Sequence, residues 1–159
     1  MNMPLDGGCA CGALRYRLLA PPLFTHCCHC TRCQRETGGP FAHHALIEQA
    51  QFEVAQGTPA FVAVPTDSGR KHWVARCPDC RTALWNEHGR RPGRVCYVRV
   101  GTLDAPQHCP PQAHIFLRSA QSWLQPPPGA PGFDTWYDSA RLWPAASLAR
   151  LAQARARRG

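Results

Sequence analysis

The residues able to do chemistry here are cysteines, and the ten of them are not scattered. Cys9 and Cys11 form C-x-C behind a Gly-Gly turn. Cys77 and Cys80 form C-x-x-C around Pro78. Cys28, Cys30 and Cys33 form C-x-C-x-x-C with Cys27 immediately before them, and Cys96 and Cys109 stand apart. A C-x-x-C turn aims two thiolates at one tetrahedral metal, and backbone N–H groups in the turn offset the sulfur charge. One such turn also serves thiol redox chemistry, so alone it decides little. Two cysteine pairs together supply the four ligands of a closed structural zinc, and Cys9 and Cys11 are accordingly paired with Cys77 and Cys80. The site would clamp the first strand to a distant segment, a tie that matters most in a loop-rich chain.

The middle cluster offers different chemistry. Cys28, Cys30 and Cys33 can share one metal, and three protein ligands leave a fourth position for water or substrate, the mark of a catalytic rather than a structural zinc. Soft thiolates favour zinc over magnesium or calcium. Three of them leave the site with one net negative charge, which blunts Lewis acidity and favours a soft incoming ligand such as another thiolate. Two zincs per chain are therefore expected, the second more easily lost. The alternative is a closed site, with His26, His29, Cys27 or a more distant histidine as fourth ligand. Cys27 and His29 fit that role poorly, since neighbours along a strand point to opposite faces.

The elements that must position these groups are short. Thirteen glycines and sixteen prolines in 159 residues imply frequent turns, and 44% hydrophobic residues suffice for one packed core. Residues 13–19 alternate apolar and charged side chains as a half-buried strand does. Further strands are expected at 41–47, 52–55, 60–64, 71–76, 82–86, 95–100 and 114–117, with turn chemistry at Asp67-Ser68-Gly69. Thr31 and Gln34 stand at capping-box spacing before Gly38, which predicts a short helix over 31–38 carrying Cys33. The run 126–132, PPPGAPG, reads as a surface linker. Pro144 opens a helix to about Arg157 with Leu148 and Leu151 facing inward.

No apolar run approaches the roughly 20 residues of a membrane span, and the N-terminus lacks the features of a secretory signal. The chain thus reads as cytoplasmic, where thiols stay reduced, which argues against a disulfide framework. The formal net charge of +8 is uneven, because the last nineteen residues hold five arginines and no acid. Such a tail could touch nucleic acid or an anionic membrane, yet it reads more simply as a solvated helix end. The basic residues avoid the cysteine motifs and no C2H2 finger spacing occurs, which argues against a nucleic-acid partner.

Three segments, GGCACGALRYRL (7–18), CHCTRCQRETGGPF (28–41) and RCPDCRTALW (76–85), resemble in order and spacing the glutathione-dependent formaldehyde-activating enzyme family, which also includes the centromere protein V-type proteins. VRVGTLD (98–104) and AHIFLRSAQSWL (113–124) look like its closing strands. The resemblance spans about residues 5–125. It implies a mainly β, Mss4-like fold of twisted antiparallel sheets stapled by zinc, with short helices and a C-terminal helical tail. The chain would divide into a zinc-binding domain at 1–125 and a Pro-rich linker with basic tail at 126–159. The resemblance also implies structural zinc at Cys9, Cys11, Cys77 and Cys80, and a second zinc in a reactive centre at Cys28, Cys30 and Cys33. The activity implied is addition of glutathione to formaldehyde, formally a carbon–sulfur lyase reaction run either way, with a small thiol and a small aldehyde as partners.

Two departures from the family pattern stand out. Arg81 replaces a glycine after the second C-x-x-C, where a positive φ is suited by glycine. Gln34 and Thr37 replace a frequent Arg and Ser around the middle cluster. His29, His43 and His44 are the nearby candidates for proton transfer. His43 and His44 are adjacent in a strand, so at most one faces a pocket, and no base is named. The alternative to an enzyme is a zinc-stapled binding module that carries glutathione or docks a partner.

Overall fold

The computed structural model describes residues 3–65, 72–88 and 95–156. Alternation of Arg15 and Arg17 with Tyr16 and Leu18 gives β2 (Arg15–Leu18) one buried face. It pairs antiparallel with β1 (Leu5–Gly8) and with β5 (Phe52–Gln56), making a small three-stranded sheet. The second sheet has eight strands. These are β3 (Phe24–Cys28), β4 (Ala42–Glu48), β6 (Ala60–Val64), β7 (His72–Arg76), β8 (Ala83–His88), β9 (Val95–Arg99), β10 (His114–Ile115) and β11 (Gly132–Phe133). Their order is β11-β10-β3-β4-β9-β8-β7-β6. All pairs are antiparallel except those of β10, which lies parallel to both β3 and β11. A parallel neighbour needs a long return path, and the chain supplies one between β9 and β10 through two 3-10 turns.

The small sheet covers one face of the large one, burying Tyr16, Leu18, Ala45, Ile47, Trp85 and Val98. Tyr16 stacks on Phe52 at 5.3 Å and meets Trp85 edge-on at 6.1 Å. The opposite face buries Phe24, Leu46 and Ile115 against Tyr137, Trp143 and Leu151 from the C-terminal segment. Both faces of β3 and β4 are thus covered, and β3 is buried along its whole length. The fold is mainly β with short helices, as expected.

Strands begin and end within two residues of each expected span. Over 114–117 only two residues are strand, because Phe116 turns at φ 58° into a 3-10 turn, Leu117–Ser119. Strands β1, β3 and β11 were not anticipated. Lys71, at the head of an expected strand, and the Asp67-Ser68-Gly69 turn lie outside the described residues.

Helix α1 (Thr31–Thr37) ends where expected, at Gly38 with φ 66°. Its cap corrects the capping-box reading. The N-cap is Cys30, whose sulfur accepts from the Cys33 N–H, and Thr31 is already helical. The Gln34 amide instead donates to the carbonyls of His29 and Ser119, both at 2.7 Å.

Residues 126–132 lie at the surface, and β11 closes that run. Asp138 then caps α2 (Ser139–Leu142), and Pro144 precedes α3 (Ala145–Ala156). The expected end of this helix at Arg157 lies outside the described residues. Leu151 is buried and Leu148 half-buried. Arg150 is not merely solvated: it grips buried Glu48 through Nε at 3.0 Å and Nη2 at 2.7 Å. No described helix is long and apolar enough to cross a membrane.

Candidate metal centres and the adjoining cavity

Four sulfurs converge where β1 turns towards β2 and β7 turns towards β8. Those of Cys9, Cys11, Cys77 and Cys80 all lie within 4.8 Å of one another. Cys9 and Cys11 are 3.5 Å apart, Cys11 and Cys77 3.7 Å. Tetrahedral zinc with Zn–S near 2.3 Å separates its sulfurs by about 3.8 Å, so the donor set and spacing fit such an ion. The Leu14 N–H donates to Cys9 Sγ at 3.2 Å. Thr82 links the two arms: its hydroxyl accepts from the Ala10 N–H at 3.4 Å and lies 3.1 Å from Cys80 Sγ. Hydrogen bonds from the Thr82 hydroxyl and N–H bring the Cys80 pKa down to about 5, while Cys9 and Cys80 push that of Cys11 up to about 12. Arg81 carries the positive φ that its position called for, 63°. Its N–H donates to Cys77 O while Cys77 N–H donates to Thr82 O.

The second cluster joins the end of β3 to the start of α1. The sulfurs of Cys28, Cys30 and Cys33 lie within 4.8 Å of one another, Cys28 and Cys30 at 3.6 Å. Cys30 accepts from Cys28 and Cys33 side chains and from the Cys33 and Arg32 amides, which pulls it down to about 2. The Cys28 and Cys33 thiols are raised in turn, so one thiolate, on Cys30, is held by the other two. Among the described residues no fourth His, Cys, Asp or Glu atom joins this group. Cys27 and His29 are turned elsewhere: His29 is fully buried with Nε2 2.9 Å from His114 Nδ1. His26 Nδ1 lies 3.0 Å from the Tyr137 hydroxyl, and burial lowers its pKa to about 3, so it is neutral at neutral pH.

All three cysteines line a cavity of about 430 Å³. Its floor is the face of the large sheet, where His26, His44 and Arg99 stand in register across β3, β4 and β9. Cys30, Arg32, Cys33 and Glu36 close one side, and Phe116, Arg118 and Trp136 another. Of the three candidate proton carriers, His44 alone faces this space. Its Nε2 accepts from Arg99 Nη1 at 2.9 Å, and burial drives its pKa well down. His43, the next residue, faces the opposite side beside Cys80. The sequence reading missed Arg99, Tyr97, Asn86 and His72 as cavity residues. Arg99 carried a signal, a charged residue between valines in VRV. The others carried none.

Residues 4–119 match the family model described as glutathione-dependent formaldehyde-activating enzyme. The chain belongs to that family. A Halomonas elongata protein named "Putative glutathione-dependent formaldehyde-activating enzyme" is 29% identical over 131 residues, covering 77% of this chain and 81% of its own length. A crystal structure of a Rhodobacter sphaeroides protein aligns with 80% of this chain and 98% of its own at TM-score 0.46 and 19% identity, a likeness too loose to bear on function. The family match contains both cysteine clusters, and within this family member the two can each hold a metal ion.

Proposed function

We propose that the protein adds a small thiol such as glutathione to a small aldehyde such as formaldehyde, or runs the reverse carbon–sulfur cleavage. The observation that carries this reading is the three-cysteine cluster, joined by no fourth ligand atom among the described residues and set in the wall of a half-open cavity. In the forward direction the thiol S–H bond breaks and a C–S bond forms. The carbonyl π pair takes up the proton as O–H, and no oxidant or reductant is needed.

Cys9, Cys11, Cys77 and Cys80 would hold a structural zinc, and Cys28, Cys30 and Cys33 a second one. Bound at the second cluster, zinc would supply Lewis acidity. The chain's own contribution is placement. The cavity holds both reactants beside the sulfurs, and orientation accounts for most of the gain when thiol and aldehyde already combine in water. His44 offers no free base, because Arg99 occupies its Nε2 lone pair and the ring proton therefore sits on Nδ1.

Zinc content per chain, measured on wild type and on Cys28→Ser, together with the rate of glutathione–formaldehyde addition by NMR exchange, tests this. Two zincs falling to one, with turnover lost in Cys30→Ser and that variant still folded, are the expected results. A single zinc indifferent to Cys28→Ser, or an addition rate equal to the uncatalysed one, would overturn the enzyme and leave a zinc-stapled carrier.

A further inference from the structure

Arg99 is a buried cation that makes no ion pair among the described residues. It is 8% exposed at the end of β9, and among the described residues its hydrogen-bond partner is the neutral ring of His44. Its Nε is buried without a partner. Glu36 lines the same cavity but is engaged by Arg76, and among the described residues no ion pair includes Arg99. A guanidinium does not discharge itself by losing a proton, unlike a buried lysine or histidine. A buried charge is costly unless it is paired, and although Cys33, Glu36 and Cys28 lie within electrostatic reach of Arg99, none of them accepts a hydrogen bond from it among the described residues, which leaves donors for a ligand.

The place of Arg99 narrows the ligand. It continues the register row that starts at His26, on the cavity floor, and both Arg99 and the three cysteines line that cavity. Arg32 and Arg118 line it too, and neither is in an ion pair among the described residues. A molecule with sulfur at the cysteine cluster would thus meet a planar fork of donors elsewhere in the same space. The group that matches such a fork is a carboxylate, through paired N–H···O bonds.

We propose that Arg99 anchors a carboxylate of the incoming thiol and is the residue by which this cavity tells such a thiol from one without a carboxylate. The assignment rests on the function proposed above for the same cavity. A competing role is open to test, in which Arg99 only balances the charge of the sulfurs.

The experiment is calorimetric titration of the zinc-loaded protein, without aldehyde, with glutathione and with its diethyl ester, in which both carboxylates are masked. Wild type, Arg99→Met and Arg99→Lys are compared, with zinc content measured on each. Wild type should bind glutathione about tenfold or more tightly than the ester, the scale expected when one partner of a buried charge pair is removed. Arg99→Met should bring the two thiols to the same affinity and leave that of the ester nearly unchanged. Arg99→Lys should restore part of the difference, since it keeps the charge but not the fork. In turnover the same loss should appear in KM for glutathione rather than in kcat.

Undiminished discrimination in Arg99→Met would overturn the assignment, as would equal weakening of both thiols, or loss of zinc with discrimination intact. Wild type that discriminates yet does not accelerate addition would leave Arg99 in its role and sink the catalytic reading. Wild type that binds both thiols alike would remove Arg99 whatever the turnover.

Discussion

Replacing Arg81 with glycine should stabilise the protein and tighten its hold on the four-cysteine metal. At φ 63° an L-residue carries a steric cost of roughly 1–2 kcal/mol, which glycine does not bear. Glycine also gains freedom in the unfolded chain, which removes about 0.4–1 kcal/mol of that benefit. The difference leaves about 0.5–1 kcal/mol. Nothing else is forfeited in the turn: the side chain is exposed, and the Arg81 N–H to Cys77 and the Arg81 carbonyl to Arg76 Nη1 are backbone groups that glycine keeps. In a chain of this size the gain should raise Tm by about 1–4 °C. Because the turn presents both Cys77 and Cys80, the same energy should appear as about two- to fivefold better zinc retention. The assay is competition against a chromophoric chelator, with thermal unfolding in zinc-buffered solution beside it. Arg81→Ala controls for the lost charge, since alanine keeps the strained φ. If Arg81→Gly retains zinc no better than Arg81→Ala, strain in this turn is not the quantity that matters and the reasoning fails.

Three further outcomes follow from packing. A Cβ on Gly7 would lie 2.5 Å from Tyr16 Cζ and 2.7 Å from Thr102 O, so Gly7→Ala should cost about 1–3 kcal/mol in denaturant unfolding. Arg150→Ala strands the buried Glu48 carboxylate and should cost about 3 kcal/mol, the low end of the range for such pairs because Arg150 keeps 29% of its side chain exposed; an unchanged midpoint would show that the tail helix is not docked in solution. Tyr137→Phe removes the partner of His26 Nδ1 and should cost about 1–2 kcal/mol in the same measurement, with zinc content unaltered.

Much of the site was legible because cysteine spacing constrains geometry directly. C-x-C and C-x-x-C leave few ways to orient two sulfurs, and the structure brings together the same two sets that spacing grouped. The strand β2 was legible because one of its faces is wet, so its side chains alternate. By contrast β3 was hidden: it is covered on both faces and its sequence, FTHCC, fills those faces with polar and sulfur groups instead of a valine-rich run. Cys30 as helix cap was hidden by a better-known pattern one residue later, in which Thr31 outranks a thiol on propensity. Arg99 and Arg150 show the limit of reading charge. Arg150 looks like any surface residue in sequence and Arg99 is marked only by its flanking valines; what fixes the role of each is a neighbour, Glu48 or His44, placed beside it by tertiary packing.

The two cysteine clusters also differ in when they can exist during synthesis. Cys28, Cys30 and Cys33 are contiguous enough to meet as soon as that short stretch leaves the ribosome, whereas Cys11 and Cys77 stand 66 residues apart. Closing the longer loop costs about 2 kcal/mol more in chain entropy than closing one of a few residues. On the proposed reading, metal delivered to a nascent chain would settle first at the local triad, while Cys9 and Cys11 wait for partners not yet made. If both clusters bind metal as proposed, the triad is loaded before the four-cysteine site, and a growing chain starved of metal carries six free thiols within its first thirty-three residues.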